Sequence, residues 1–197
     1  MVRLMITPHA PDGPRYPWAD LLQTVNRRIH QEHAQSEAST PPGSRHLVEA
    51  HRPPDWLGTT GASEAELAHH EERLSMRLPP SYREFLQVSN GWDEESRSCL
   101  RLLPVAEVGW TRDIDPELAE IWGEPVGDTL YISEYIEGQV CLLNPRVVEP
   151  DGEWQAFDLA SWHPGVIEYR SFWDLMTGMN PEFAPEESAS STTSDSG

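Results

Sequence analysis

Trp18, Leu21, Leu22, Val25 and Ile29 recur at i, i+3, i+4, i+7 and i+11. That stripe predicts an amphipathic helix from about Pro17 to about Ala34. The stretch after it, QSEASTPPGSRHLVEAHRPPDW, holds two Pro-Pro pairs and one Gly, so it reads as a linker or irregular loop. Ser63 and Glu66 form an S-x-x-E capping box, which starts a helix at Glu64 with Leu67 and Leu74 on one face. Pro79 ends that helix, because a residue before proline avoids the α region. Pro80 then fits the first turn of the next helix, in which Tyr82, Phe85, Leu86 and Ser89 share a face and Gly91 supplies a left-handed cap.

Beyond Gly91 the period shortens. Leu100 to Val105 reads as a short strand cut by Pro104. Asp115, Pro116 and Glu117 give an N-cap, a first-turn proline and an acid near a helix amino terminus. The two-turn helix that follows is expected to place Leu118, Ile121 and Trp122 inward and to close at Gly123. Thr129 to Tyr135 and Gln139 to Asn144 read as strands of an antiparallel hairpin turning at Glu137-Gly138. Pro150-Asp151-Gly152 is a further turn, leading to a strand around Trp154 to Leu159. Ser171 caps a last helix with Phe172, Leu175 and Met176 inward and Gly178 at its end. Hairpins need no crossover, so the fold class is α+β: a mainly antiparallel sheet with helices packed on one face, plus the amino-terminal helix. Tryptophans 92, 110, 122, 154, 162 and 173 are spread along it and read mostly as core or cleft-lining.

The chain has 197 residues, 38% hydrophobic, enough for one well-packed domain with a small appendage. The organisation read from it is an arm at 1–15, the helix at 16–36, a Pro-rich linker at 37–55, the main domain at 56–180 and a disordered acidic tail at 181–197. No run approaches the roughly 18 apolar residues of a membrane span, and the amino terminus lacks a signal-peptide core, so a cytoplasmic protein is expected. Cys99 and Cys141 have no C-x-x-C spacing and read as two buried free thiols.

Charge restricts the partners. The net charge is −19, and all 14 basic residues are arginine. Residues 61–180 carry eight arginines against 23 acids, so the excess sits on the expected folded part. Such a surface repels nucleic acid and anionic membrane and attracts basic proteins. Acidity that merely keeps a protein soluble is the competing reading.

Catalytic signatures are absent: there is no P-loop, no G-x-G-x-x-G, no G-x-S-x-G and no H-E-x-x-H. Without lysine, Schiff-base chemistry is excluded. His30 and His33 lie one turn apart, but a polar helix surface outweighs a metal site there. His69 and His70 point about 100° apart on their helix and read as part of a charged face. No catalytic, metal or cofactor residue is assigned. The acids at Asp93, Glu94 and Glu95, and those around the middle helix (Asp113, Asp115, Glu117, Glu120 and Glu124), are either a solvated face or a partner-binding patch.

The segment LPPSYREFLQVSNGWD, Leu78 to Asp93, resembles the signature of the SUKH superfamily, which includes Smi/Knr-type fungal cell-wall regulators and many bacterial immunity proteins. Glu71 or Glu72, Leu78, Pro79, Tyr82, Phe85, Leu86, Asn90 and Gly91 match its pattern. A later stretch matches with Trp162, Ser171, Phe172 and Leu175. These residues make the fold; they are not an active site. The chain departs from the pattern before the Leu-Pro pair, where relatives commonly have glycine and this sequence has Ser75-Met76-Arg77. The resemblance implies a non-enzymatic, protein-binding domain: an immunity protein that neutralises a cognate toxin, such as a basic nuclease, or alternatively a regulatory scaffold for endogenous proteins. The expected partner is a basic protein such as a toxin domain, and the sequence sets no oligomeric state. The expected surface combines Asp93, Glu94, Glu95, Trp110, Asp113, Asp115 and Glu117, a tryptophan anchor rimmed by acids.

Overall fold

In the computed structural model, residues 14–44, 46, 53–93 and 101–180 are described. Glu94, Glu95, Cys99 and the expected tail at 181–197 lie outside them. Helix α1 spans Trp18–Ser39. Ser63 caps α2 (Glu64–Leu74) through a complete capping box: its Oγ accepts from the Glu66 N–H, and the Glu66 carboxylate accepts from the Ser63 N–H. Helix α2 ends in a left-handed turn at Ser75 (φ 54°), with the Met76 N–H donating to the Glu71 carbonyl. A serine therefore holds a conformation that glycine adopts without strain.

Pro79 turns the chain into α3 (Pro80–Val88), whose buried face carries Ser81, Tyr82, Phe85 and Leu86. The Glu71 carboxylate accepts from the Leu78 N–H at 3.0 Å and from Arg83 Nε at 3.1 Å. Glu71, not Glu72, thus fastens the Leu78-Pro79 corner. After α3, Gly91 (φ +102°) passes so close to the next segment that a Cβ would lie 3.0 Å from the Leu102 carbonyl oxygen. The neighbouring Asn90 side chain accepts from the Val105 N–H at 2.8 Å.

Two short strands, β1 (Trp92–Asp93) and β2 (Arg101–Leu102), pair as a ribbon. The main sheet is an antiparallel meander of β3 (Gly109–Trp110), β4 (Leu130–Tyr131), β5 (Gln139–Val148), β6 (Trp154–Ala160) and β7 (Val166–Tyr169), in that order. The expected hairpin turns at Glu137 (φ 50°) and Gly138 (φ 90°), the two positive φ values that match the twist of paired strands. Strand β4 is shorter than expected. Beyond Ile132 the Cys141 N–H is taken by Ser133 Oγ at 2.8 Å instead of a backbone carbonyl, which interrupts the ladder. Strand β7 was not expected; its four residues carry too little alternation to separate it from the turn before it. From Val140 to Asn144 on β5 and from Ala156 to Ala160 on β6 every consecutive residue is buried, so both faces of the sheet centre are covered.

Between β3 and β4 lie α4 (Thr111–Ile114) and α5 (Pro116–Trp122), and after β7 comes α6 (Phe172–Met179). Ser171 caps α6 through the Asp174 N–H, while Gly178 lies inside the helix, which closes at Asn180. Three sequence expectations are corrected. Ile121 is 71% exposed: the seven-residue helix turns in only the Leu118–Trp122 edge of the expected stripe and leaves Ile121 at its solvent border. Trp162, matched to the late family pattern, stands in the β6–β7 turn 63% exposed and is not a core residue. His70 is buried at 3% instead of joining a charged face.

The amino-terminal helix packs into the domain. Its apolar stripe, Trp18, Leu21, Leu22, Val25 and Ile29, is buried to 2% or less in the same core as α3 and α6. Trp18 meets Phe85 at 5.4 Å, Phe172 at 5.3 Å and Trp173 at 4.8 Å between ring centroids. Just before it, the Tyr16 hydroxyl donates to Glu153 Oε1 at 2.7 Å. Arg15 donates to Asp151 Oδ2 at 2.5 Å, so the end of the expected loose arm is held. Burying each large side chain contributes roughly 1.5–3 kcal/mol. Trp18→Ala is therefore expected to lower unfolding free energy by about 3–5 kcal/mol, as much as Phe85→Ala. Chemical denaturation measures both. A Trp18→Ala loss below about 1 kcal/mol would mean that α1 rests loosely on the domain.

Candidate functional site

The α4–α5 corner is built on a pair of buried threonines. Thr111, at the end of β3, donates from its N–H to the Thr129 carbonyl at 2.9 Å, and the two hydroxyls lie 2.8 Å apart. Thr129 Oγ1 in turn donates to the Val126 carbonyl at 2.6 Å. These bonds fix where α4 leaves the sheet. Asp115 breaks α4 from α5 and caps the second helix, its Oδ1 accepting from the Leu118 N–H at 2.9 Å.

The expected surface residues separate into three groups. Asp93 lies 3.8 Å from Arg101, which also donates to Glu134 at 2.6 Å. Asp115 is occupied as a cap, and Trp110 is half-buried with the Arg112 guanidinium 5.6 Å above its ring. Asp113 and Glu117 are exposed, and no arginine pairs with either among the described residues. Glu94 and Glu95 lie outside those residues.

The two halves of that surface flank one strand segment. Trp110 pairs with Leu130, whereas Arg101 accepts the Glu134 N–H on its carbonyl and Leu102 bridges to Ser133. Tyr131, between these ends, feels both acids. Burial, then the charges of Asp115 and Glu134, push its hydroxyl up to about 12.

Glu120, one of the clustered acids, and two apolar residues that charge clustering did not single out complete the face. Glu120 is exposed and has no arginine partner among the described residues; Ile114 and Ile121 are exposed beside it in sequence. Elsewhere arginines hold several of the acids: Arg83 takes Glu64 and Glu71, Arg146 takes Glu124 and Asp128, Arg112 also takes Asp128, and Arg170 takes Asp151. The carboxylates left without a cation on α4 and α5 are Asp113, Glu117 and Glu120.

A helix-to-loop link sets the approach to β3. Arg73 on α2 donates to the Val108 carbonyl and lies 3.0 Å from His70 Nδ1. No group of three or more histidine, cysteine, aspartate or glutamate side chains is arranged to hold a metal ion among the described residues, and no described helix is long and apolar enough to cross a membrane.

Helices on an antiparallel meander, entered through a capped helix and a proline corner, define an α+β domain of the kind the Leu78 to Gly91 motif implied. The sequence model of the SMI1 / KNR4 family (SUKH-1) matches residues 61–178, and the chain belongs to that family. No curated protein matches it. The matched stretch leaves out α1, although α1 shares its core.

Desolvation, then the neighbouring Arg73 charge, lowers the His70 pKa to about 4, against about 6.5 in an unfolded chain. The folded state therefore prefers neutral His70. This contribution is intact above about pH 6.5 and is lost as pH falls through about 4. Between pH 7 and 4.5, wild type should lose about 2 kcal/mol more unfolding free energy than His70→Gln. Denaturant titrations at both pH values measure it, and equal losses in the two proteins would contradict the assignment.

Proposed function

We propose that this protein acts by binding a basic protein partner, without turning over a substrate, as an immunity protein that neutralises a cognate toxin. One observation carries the reading. In a domain whose arginines neutralise many of its acids, Asp113, Glu117 and Glu120 stay uncompensated and exposed on one corner. Leaving three carboxylates together without a cation costs some self-repulsion in the free protein, which a cationic partner relieves. Membership of the SMI1 / KNR4 family (SUKH-1) supports a binding role, and the net charge of −19 supports a basic partner. A nuclease toxin suits it well, since such enzymes carry positive clefts for phosphate backbones. Attraction at this corner speeds encounter more than it tightens the final complex.

The test is co-expression with the toxin encoded beside its gene, followed by association kinetics of the purified pair. Growth is expected to be rescued. The association rate should fall at least about tenfold between about 50 mM and about 500 mM salt. Glu117→Arg with Glu120→Arg should slow association further at low salt. A rate that stays flat across that range would remove electrostatic steering, and failure of rescue would remove the immunity role.

A further inference from the structure

Carboxylates alone attract any cation; an apolar group set among them selects a class of partner. On α5, Glu117, Glu120 and Ile121 fall at i, i+3 and i+4, so they share a side turned away from Leu118 and Trp122. Ile121 is 71% and Ile114 42% exposed. Ile114 leans back over Gly109, where a Cβ would meet its Cδ1 at 3.2 Å. Two other exposed apolar sites stand next to acids that arginines hold. Tyr135 follows Glu134, which is held by Arg101, and Val147 and Val148 precede Glu149, which lies 4.0 Å from Arg170.

Resting on the protein-binding reading above, we propose that the outer face of α4–α5 docks a basic amphipathic helix of the partner protein. Its apolar stripe covers Ile121 and Ile114, and its lysines or arginines meet Asp113, Glu117 and Glu120. Charge complementarity favours a cationic partner here, where three exposed carboxylates without an arginine stand on two successive short helices. The rows of side chains on an exposed helix also accept the ridges of a second helix. Covering Ile121 removes apolar surface from water, a gain that salt does not screen.

The assignment is tested by nuclear magnetic resonance titration of the full-length, ¹⁵N-labelled protein with two synthetic peptides of equal charge. One carries lysine and leucine at helical spacing; the other has serine in place of leucine. The leucine peptide is expected to shift amides of α4 and α5 and to bind at least about tenfold more tightly than the serine peptide. Ile121→Ser should remove that advantage while leaving the weak serine-peptide binding unchanged. Glu117→Gln with Glu120→Gln should weaken both peptides. These positions are exposed, so the variants are expected to fold, and circular dichroism checks it. Equal binding of the two peptides, or a leucine advantage that survives Ile121→Ser, overturns the assignment. Shifts clustered elsewhere with toxin binding intact would remove this face and leave the protein-binding role standing. Failed toxin rescue bears on that role instead.

Discussion

Phe172 is where the three long-range parts of the chain converge. Its ring lies 5.3 Å from Trp18 on α1, 5.0 Å from Tyr82 and 5.4 Å from Phe85 on α3, while α6, which it begins, packs on β6 and β7. Edge-to-face contacts of this kind add to the area they bury. A buried carboxylate completes the junction: Glu153 accepts from the Ser81 N–H and hydroxyl and from Tyr16. Helix α3 begins at Pro80 after Pro79, and neither proline offers a capping side chain, so the acceptor for its first free N–H comes from the β5–β6 turn. Through these two contacts the amino-terminal helix, the family motif and the sheet become one packed body.

This arrangement leaves the proposed docking surface outside the family motif. The residues that mark the family, Leu78, Pro79, Tyr82, Phe85, Leu86 and Phe172, are spent on packing. Asn90 and Gly91 tie the segments around β1 and β2 together. The insertion between β3 and β4 is held at its base by Thr111 and Thr129 and anchored by buried Leu118 and Val126, while Asp113, Glu117 and Glu120 on it are exposed.

Local signals were legible in the sequence because each is satisfied within a few residues. The Ser63–Glu66 box, the Pro79-Pro80 corner, the Asp115 and Ser171 caps and the Glu137-Gly138 turn all stand where they were read. Long-range consequences were not legible. The stripe on α1 showed that it buries a face, but not that its partners are Phe85 and Phe172. Glu153 was not singled out; the one hint was that α3 begins without a cap. Ile121 fitted an inward stripe by spacing alone, and only the choice of Leu118 and Trp122 as the buried pair turned it outward. Asp115 looked like a member of an acidic patch and is a cap as well.

The central claim is that α1 and the family domain form a single cooperative unit joined at Phe172. Native-state hydrogen exchange tests it most directly. If the claim holds, the amides of Leu21, Leu22 and Val25 open with the same free energy as those of Leu142 and Phe157, within about 1 kcal/mol, because all are released only by global unfolding. Exchange of the α1 amides at several kcal/mol below the sheet would show that the helix detaches on its own, and would contradict it.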